Sequence, residues 1–198
     1  MTLIVGLTGG IGSGKSYVGK IFEEYGVPIY ISDERAKQLM NKTEVVKAVQ
    51  AIFSENVIVD GKLDRSKIRE IVFKDANLLE QLNKVIHPLV RKDFVDWVEQ
   101  HKESPFILKE SAILFENGLE KDCDYIILIT APEELRIKRV MKRDNVDEEN
   151  IREIINVQMK DEDKIRKSDY VIVNSDDNFI KKEVLSVVKA LNLKNNSI

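Results

Sequence analysis

A glycine-rich loop set between an apolar hexapeptide and an amphipathic segment constrains this chain more than any other feature. Leu3-Ile4-Val5-Gly6-Leu7-Thr8 is almost continuously apolar, which suits a short strand buried on both faces of a parallel sheet. Gly9-Gly10-Ile11-Gly12-Ser13-Gly14-Lys15-Ser16 follows at once, with the spacing of a glycine, four residues and then Gly-Lys-Ser. Beyond it Val18, Ile21, Phe22 and Tyr25 recur at helical spacing until Gly26 and Pro28 stop the pattern. Strand, glycine loop and helix in that order make a phosphate cradle. Glycines let successive backbone N–H groups curl around phosphate oxygens, and a helix starting near Lys15 points the positive end of its dipole at the same charge. Lys15 then reaches the β- and γ-phosphates, while the Ser16 hydroxyl is a ligand for Mg²⁺. Gly9 through Ser16, with Tyr17 beside them, are the expected ATP-binding residues.

Four more apolar runs, Val27 to Ile31, Phe106 to Leu108, Tyr125 to Thr130 and Tyr170 to Val173, alternate with long helical patterns. The alternation predicts an α/β fold: a P-loop NTPase core with a five-stranded parallel sheet flanked by helices. Residues 33–103 read as helical throughout, with one stripe at Val45, Val49, Ile52 and Phe53 and another at Leu78, Leu79, Leu82, Val85 and Ile86. Asp64 stands where an N-cap opens a helix, and Pro88 is expected to break or restart the helix beyond Ile86. A second helical insertion starts at Pro132. Ile180, Val184, Val187, Val188 and Leu191 return a helix to the core, and the polar tail after Asn192 is expected to fray. The organisation is one domain, with core segments at about 1–32, 105–131 and 168–198, a helical substrate lobe at about 33–104 and a lid at about 132–167.

Composition narrows the partners. A formal net charge of −3 among 33% charged residues leaves no bulk cationic field to hold nucleic acid or an acidic membrane, so an anionic substrate must be gripped locally. Cys123 is the single cysteine and has no partner for an internal disulfide; it reads as a small residue at a strand edge. The amino terminus shows no basic leader, and no stretch nears ~20 consecutive apolar residues, so a cytoplasmic protein is expected, as a monomer or weak homo-oligomer.

The group that prepares the phosphoryl acceptor lies elsewhere. Asp33 follows the second apolar run, at the carboxyl end of a strand where open α/β sheets bind ligands. A carboxylate there orients or deprotonates an attacking hydroxyl, or else caps the next helix, and one residue can do both. Arg136, Arg139 and Arg143 share one helix face, with Ile137, Val140 and Met141 on another. Pro132, Glu133 and Glu134 open that helix and Asp144-Asn145 ends it, giving a helical hairpin with Ile151 to Lys164. A hairpin carrying cations suits a lid that excludes water and sets Arg139 or Arg143 on the moving phosphoryl group, or else the run is a solvated charged face. Gln158 is polar where the Ile151, Ile154 and Ile155 side calls for an apolar residue; it faces the nucleotide or marks the stripe's edge.

Several separate motifs resemble the dephospho-coenzyme A kinase family, and the resemblance runs from Leu3 to about Leu191. Residues 4–16, IVGLTGGIGSGKS, are similar to the family's opening, and Ser32-Asp33 to the end of its Asp-Ala-Asp motif, which implies that Asp33 is the catalytic base. Ile86-His87-Pro88-Leu89-Val90-Arg91 resembles a Leu-His-Pro stretch, and Ile113-Leu114-Phe115-Glu116 a Pro-Leu-Leu-Phe-Glu segment, both bordering the coenzyme A site in the family. By resemblance His87, Arg91, Leu114, Phe115 and Glu116 bind substrate. Residues 138–144, KRVMKRD, are similar to the lid, Gln158 to a lid glutamine, and residues 168–174, SDYVIVN, to the strand and turn near adenine, which sets Asn174 beside the base. The chain departs from the family at Ile31, Lys37, Glu110, Ala112 and Val173; Glu110 keeps a carboxylate at a strand end, suited to holding a Mg²⁺-bound water.

The resemblance implies ATP-dependent phosphorylation of the ribose 3′-hydroxyl of dephospho-coenzyme A. Residues alone leave a kinase for another nucleoside, nucleotide or shikimate-like alcohol open, since such enzymes share everything except the acceptor contacts. A nucleotide switch is disfavoured: the chain holds no Asp-x-x-Gly, and Asn41-Lys42-Thr43-Glu44 is only a near match to a guanine-reading motif.

Overall fold

The computed structural model describes residues 2–195, the side chains of Asp177 and Asn178 apart. Five parallel strands form one sheet: β1 (Leu3–Thr8), β2 (Ile29–Ile31), β5 (Phe106–Glu110), β6 (Tyr125–Thr130) and β7 (Tyr170–Val173), in spatial order β2-β5-β1-β6-β7. β1 is the central strand, so the loop after it emerges between the carboxyl ends of β5 and β6. Packing covers the sheet on the side of Val5, Leu7, Leu108, Ile127, Ile129 and Ile172, where α1 (Lys15–Glu24) brings Val18, Ile21 and Phe22 and α9 (Asp177–Asn195) brings Ile180, Val184 and Leu191. The fold is that of a P-loop NTPase. Two aspartates set strand register at the amino ends. Asp124, just before β6, accepts a hydrogen bond from the Ile4 N–H (2.7 Å), and Asp169, just before β7, accepts one from the Ile126 N–H (2.8 Å). Each pairs a strand-end donor that would otherwise lack a partner.

Contacts divide the chain into two units, Met1–Ile31 with His101–Ile198, and Ser32–Gln100. The second holds α2 (Ser32–Leu39), α3 (Thr43–Gln50), α4 (Arg65–Lys74) and α5 (Ala76–Gln100) around a core of Val45, Val49, Phe53, Val57, Ile68 and Ile86. The Asp64 carboxylate caps α4 by accepting from the Lys67 N–H at 3.0 Å, as its position predicts.

Four expectations fail in instructive ways. Residues 33–103 are not helical throughout: a hairpin of β3 (Ile58–Val59) and β4 (Lys62–Leu63) turns on Asp60-Gly61, both at positive φ. Asp-Gly between short apolar stretches is a hairpin signal. Pro88 does not break its helix, because α5 runs through it to Gln100. The missing N–H and ring clash cost about 3 kcal/mol, and apolar residues on both sides of the proline, Leu82, Val85 and Ile86 before it and Leu89 and Val90 after it, pack on one cluster that offsets the loss. Ile151 to Lys164 is two helices, α7 (Glu148–Val157) and α8 (Asp161–Arg166), parted at Gln158, whose backbone is extended. At the other end α9 continues to Asn195, so the tail is helical past Asn192; residues 196–198 lie outside the described residues. Among the described residues no helix is long and apolar enough to cross a membrane.

Candidate active site

The glycine loop leads into α1 through Gly14, which takes a left-handed conformation at φ 89°. A side chain there would be strained, and its Cβ would run into the Asn174 amide nitrogen. Asn174 itself is 2% exposed. Its Nδ2 donates to the Ser13 carbonyl (2.8 Å), its Oδ1 accepts from Arg139 (3.3 Å), and its N–H donates to the Thr130 carbonyl (2.7 Å). The end of β7 thus buttresses the loop from below. Lys15 Nζ donates to the Gly9 carbonyl at 2.9 Å, curling its chain back over the loop, and Ser16 is exposed in the first turn of α1. The first four N–H groups of a helix have no intrahelical acceptor, so this turn presents donors together with the positive dipole end.

A third support comes from α6 (Glu133–Asp144), whose residue Arg136 is 5% exposed. Its guanidinium lies so close over Gly10 that a Cβ there would overlap it; Nε donates to the Ile11 carbonyl (2.9 Å) and one terminal nitrogen to Asp161 (3.0 Å). Asp161 also accepts from the Thr130 hydroxyl at 2.7 Å. Arg136 is the buried member of this pair and Asp161 is 25% exposed, so it is the guanidinium that would be left as an uncompensated buried charge without its partner. The Ile11 N–H is taken by Gln158 Oε1 at 3.0 Å.

A second constellation lies on the segment after β5. Leu114 and Phe115 are buried with Ile126, and Leu119, Cys123 and Met159 pack against them. Glu116 Oε1 accepts from the Met159 N–H (3.1 Å) and meets the wholly buried Lys164 ammonium at 3.0 Å. Burial pushes the Glu116 carboxyl up, but its own backbone N–H, Lys164 and the Met159 N–H together hold it below the usual carboxylate range. Burial pushes the Cys123 thiol up to about 11 against the pull of Lys109. Glu110, 8% exposed, ends β5 level with Leu7 of β1. Among the described residues no three His, Cys, Asp or Glu side chains are grouped to hold a metal by themselves. The donors present, a Ser16 hydroxyl and a strand-end carboxylate, fit instead a Mg²⁺ that arrives with a nucleotide and keeps most of its ligands from phosphates and water.

The structure therefore brings Gly9–Ser16, Asn174 and Arg139 together. It leaves Arg143 on the surface, paired through two 2.7 Å hydrogen bonds with its neighbour Asp144. Met141, expected on the packing face of α6, is 40% exposed, while Ile137 and Val140 are buried. Asp33 sits inside the first turn of α2, not at its cap, with an exposed side chain. His87 and Arg91 are exposed, one turn apart on α5. In the same unit Arg35 makes a two-pronged pair with Asp93 at 2.8 Å on each prong. Sequence reasoning missed what Arg136, Asp161 and Lys164 do. Arg136 shares a helical face with Arg139 and Arg143, so spacing could not separate a buried clamp from exposed cations; the glycine at position 10, opposite it, is the one local signal.

Known proteins bear on this arrangement. The dephospho-CoA kinase family model matches residues 3–179. A dephospho-CoA kinase of Bacteroides fragilis is 38% identical over 193 residues, 96% of this chain and 94% of that protein. One of Porphyromonas gingivalis is 35% identical over 194 residues, covering 97% and 96%. Among solved structures, TT1252 from Thermus thermophilus superposes with a TM-score of 0.88 at 32% identity, covering 96% of this chain and 97% of that one. With residues 3–179 matched and relatives this similar spanning nearly the whole length, the chain belongs to the dephospho-CoA kinase family.

Proposed function

We propose that this protein transfers the γ-phosphoryl group of Mg·ATP to the ribose 3′-hydroxyl of dephospho-CoA, giving CoA and ADP in the last step of CoA biosynthesis. The observation that carries the reading is a phosphate loop braced by Asn174, Arg136 and Gln158 in a chain of the dephospho-CoA kinase family. In the reaction O3′–Pγ forms as the bond from Pγ to the β–γ bridging oxygen breaks, and the O3′ proton passes to the Asp33 carboxylate. There is little covalent work for the protein to do, so positioning and charge stabilisation supply the acceleration. The amides of the Gly9–Ser16 loop hold the phosphates, with Tyr17 flanking them. Lys15 turns from the Gly9 carbonyl to the β- and γ-phosphates. Ser16 would hold the Mg²⁺ that accompanies the nucleotide and Glu110 a water bound to it, and the ion would supply charge compensation for the phosphates during transfer. Arg139, already beside the loop, and Arg143, after release from Asp144, are the lid cations for the moving phosphoryl group, within a lid at about 132–167.

On the acceptor side, Asp33 orients the hydroxyl, and His87 and Arg91 take the anionic groups of dephospho-CoA. Leu114 and Phe115 act as buried supports that shape the substrate-binding segment, and Glu116 Oε2 faces substrate while Oε1 stays with Met159. Asn174 borders adenine through its main chain, its amide being engaged with Ser13 and Arg139. The acceptor is a small molecule, neither nucleic acid nor membrane, in keeping with a net charge of −3. The reading also carries a cytoplasmic setting and a monomer or weak homo-oligomer.

The test is ADP release by purified protein with Mg·ATP, comparing dephospho-CoA with shikimate and with nucleosides. Release stimulated strongly by dephospho-CoA is expected. Stimulation by another alcohol alone would move the protein to a different acceptor, and none by any of them would overturn the transfer.

A further inference from the structure

We infer that Gln158 is a positioning residue of the phosphate loop, acting through the peptide of Ile11. The inference rests on the nucleotide half of the reading above and on nothing about the acceptor. Four observations converge on one residue. Ile11 stands between Gly10 and Gly12, in a stretch where Gly12 and Gly14 both have left-handed φ, so the backbone on either side of it is conformationally permissive. The Ile11 peptide is nevertheless held from both ends: its N–H by Gln158 Oε1 at 3.0 Å and its carbonyl by Arg136 Nε at 2.9 Å. Its side chain packs against Ile137, Val140 and Ile151. All these partners come from residues 133–166, more than 120 positions along the chain, as the 125- and 147-residue separations of the two hydrogen bonds record.

Gln158 is itself anchored. It lies at the extended break between α7 and α8, and the next residue, Met159, donates its N–H to Glu116 at 3.1 Å and packs its side chain on the Leu114–Phe115–Ile126 cluster. Glu116 is in turn fixed by the buried Lys164. The break is therefore no frayed helix end. It sets the Gln158 amide oxygen against one chosen donor of the loop. The Ile11 N–H is engaged there and the Ser13 N–H donates to the Gly10 carbonyl (3.2 Å), so Ile11 shapes the loop while phosphate binding falls to the remaining amides of Gly9–Ser16. A glutamine meets both needs of the place: an acceptor for one N–H, and no charge beside a triphosphate.

The experiment compares Gln158→Met, which keeps length and loses the acceptor, with Gln158→Glu, which keeps an acceptor oxygen. Affinity for Mg·ADP is measured by calorimetry, alongside thermal midpoint and KM for the acceptor. A single neutral hydrogen bond sets the scale, roughly 3- to 10-fold. Gln158→Met should weaken Mg·ADP binding by that factor, with KM for the acceptor within about twofold of the unsubstituted chain. Gln158→Glu should start weaker through repulsion and approach the unsubstituted affinity, compared at equal salt, as ionic strength rises and the Debye length shrinks from ~8 Å toward ~3 Å. Met should not recover.

Unchanged nucleotide affinity in folded Gln158→Met, with loss confined to thermal midpoint or active fraction, would reduce Gln158 to a packing role and overturn the proposal. If that variant does not fold, hydrogen exchange of the Ile11 amide in the unsubstituted, nucleotide-free chain decides. Strong protection is expected, and exchange at the rate of an open loop overturns the inference. Absence of Mg·ADP binding by the unsubstituted chain overturns the nucleotide reading and this proposal with it, whereas failure with dephospho-CoA alone leaves this one standing.

Discussion

The phosphate loop and the Ser32–Gln100 unit solve opposite problems. In the loop the groups proposed to meet ligand are backbone amides, and the side chains of Asn174 and Arg136, 2% and 5% exposed, brace that backbone. In the helical unit the candidate groups, Asp33, His87 and Arg91, are exposed side chains on helices that pack through a separate apolar stripe. A site made of backbone is sensitive to its buried supports. One made of exposed side chains loses function at the substituted residue and leaves the fold alone.

That contrast is sharpest at Asp33. Asp33→Asn should lower turnover by roughly two to four orders of magnitude, the range for a general base that also orients its substrate, with nucleotide affinity and thermal midpoint unchanged. Near-normal turnover would remove Asp33 from the mechanism. At the loop the mixture should reverse: Arg136→Met leaves Asp161, 25% exposed, with only the Thr130 hydroxyl and should cost about 3 kcal/mol, the low end for breaking a buried pair, a drop of about 10 °C in thermal midpoint for a chain of this size. An unshifted midpoint would mean that the clamp on Ile11 does not support the loop. Arg91→Ala should raise KM for dephospho-CoA roughly tenfold or more, as expected when a charge-assisted hydrogen bond is lost, without touching nucleotide affinity or stability. A change in nucleotide affinity would break the division between the two regions.

The smallest effect concerns pH. Since the folded state holds the Glu116 carboxyl below its ordinary value, its contribution to stability is full above the ordinary carboxylate range and fades as pH falls through the lowered value. Urea unfolding across the acid range should show a steeper loss for the unsubstituted chain than for Glu116→Gln. Parallel profiles would mean that the Lys164–Glu116 pair adds nothing to folding.

What the sequence made legible follows the same line. The strand, glycine loop and first helix were legible from Leu3 to Phe22, where motif, apolar run and helical period coincide, whereas Tyr25 of the same expected stripe caps α1 and is exposed. The closing stripe on α9 was equally readable, all of its members being buried. Pro88 misled because local chemistry argues for a break while packing on both sides of it decides for continuity, and packing is invisible in a local pattern. Asp60-Gly61 misled in the opposite way, since the local signal was present but outweighed by helical stripes on either side. Arg136, Arg139 and Arg143 show where spacing stops being informative: one face of α6 carries a buried clamp, a residue beside the loop and a surface ion pair. What singles out the clamp is a partner more than 100 residues away in the chain, the Ile11 carbonyl that Arg136 holds.

The most direct measurement is the identity of the product after a single turnover with Mg·ATP and dephospho-CoA, by mass and by phosphorus NMR. Stoichiometric ADP and a product with its new phosphate on the ribose 3′-oxygen, identical to CoA, is the expected result. ADP without a phosphorylated acceptor, or a phosphate on any other oxygen, would contradict the account.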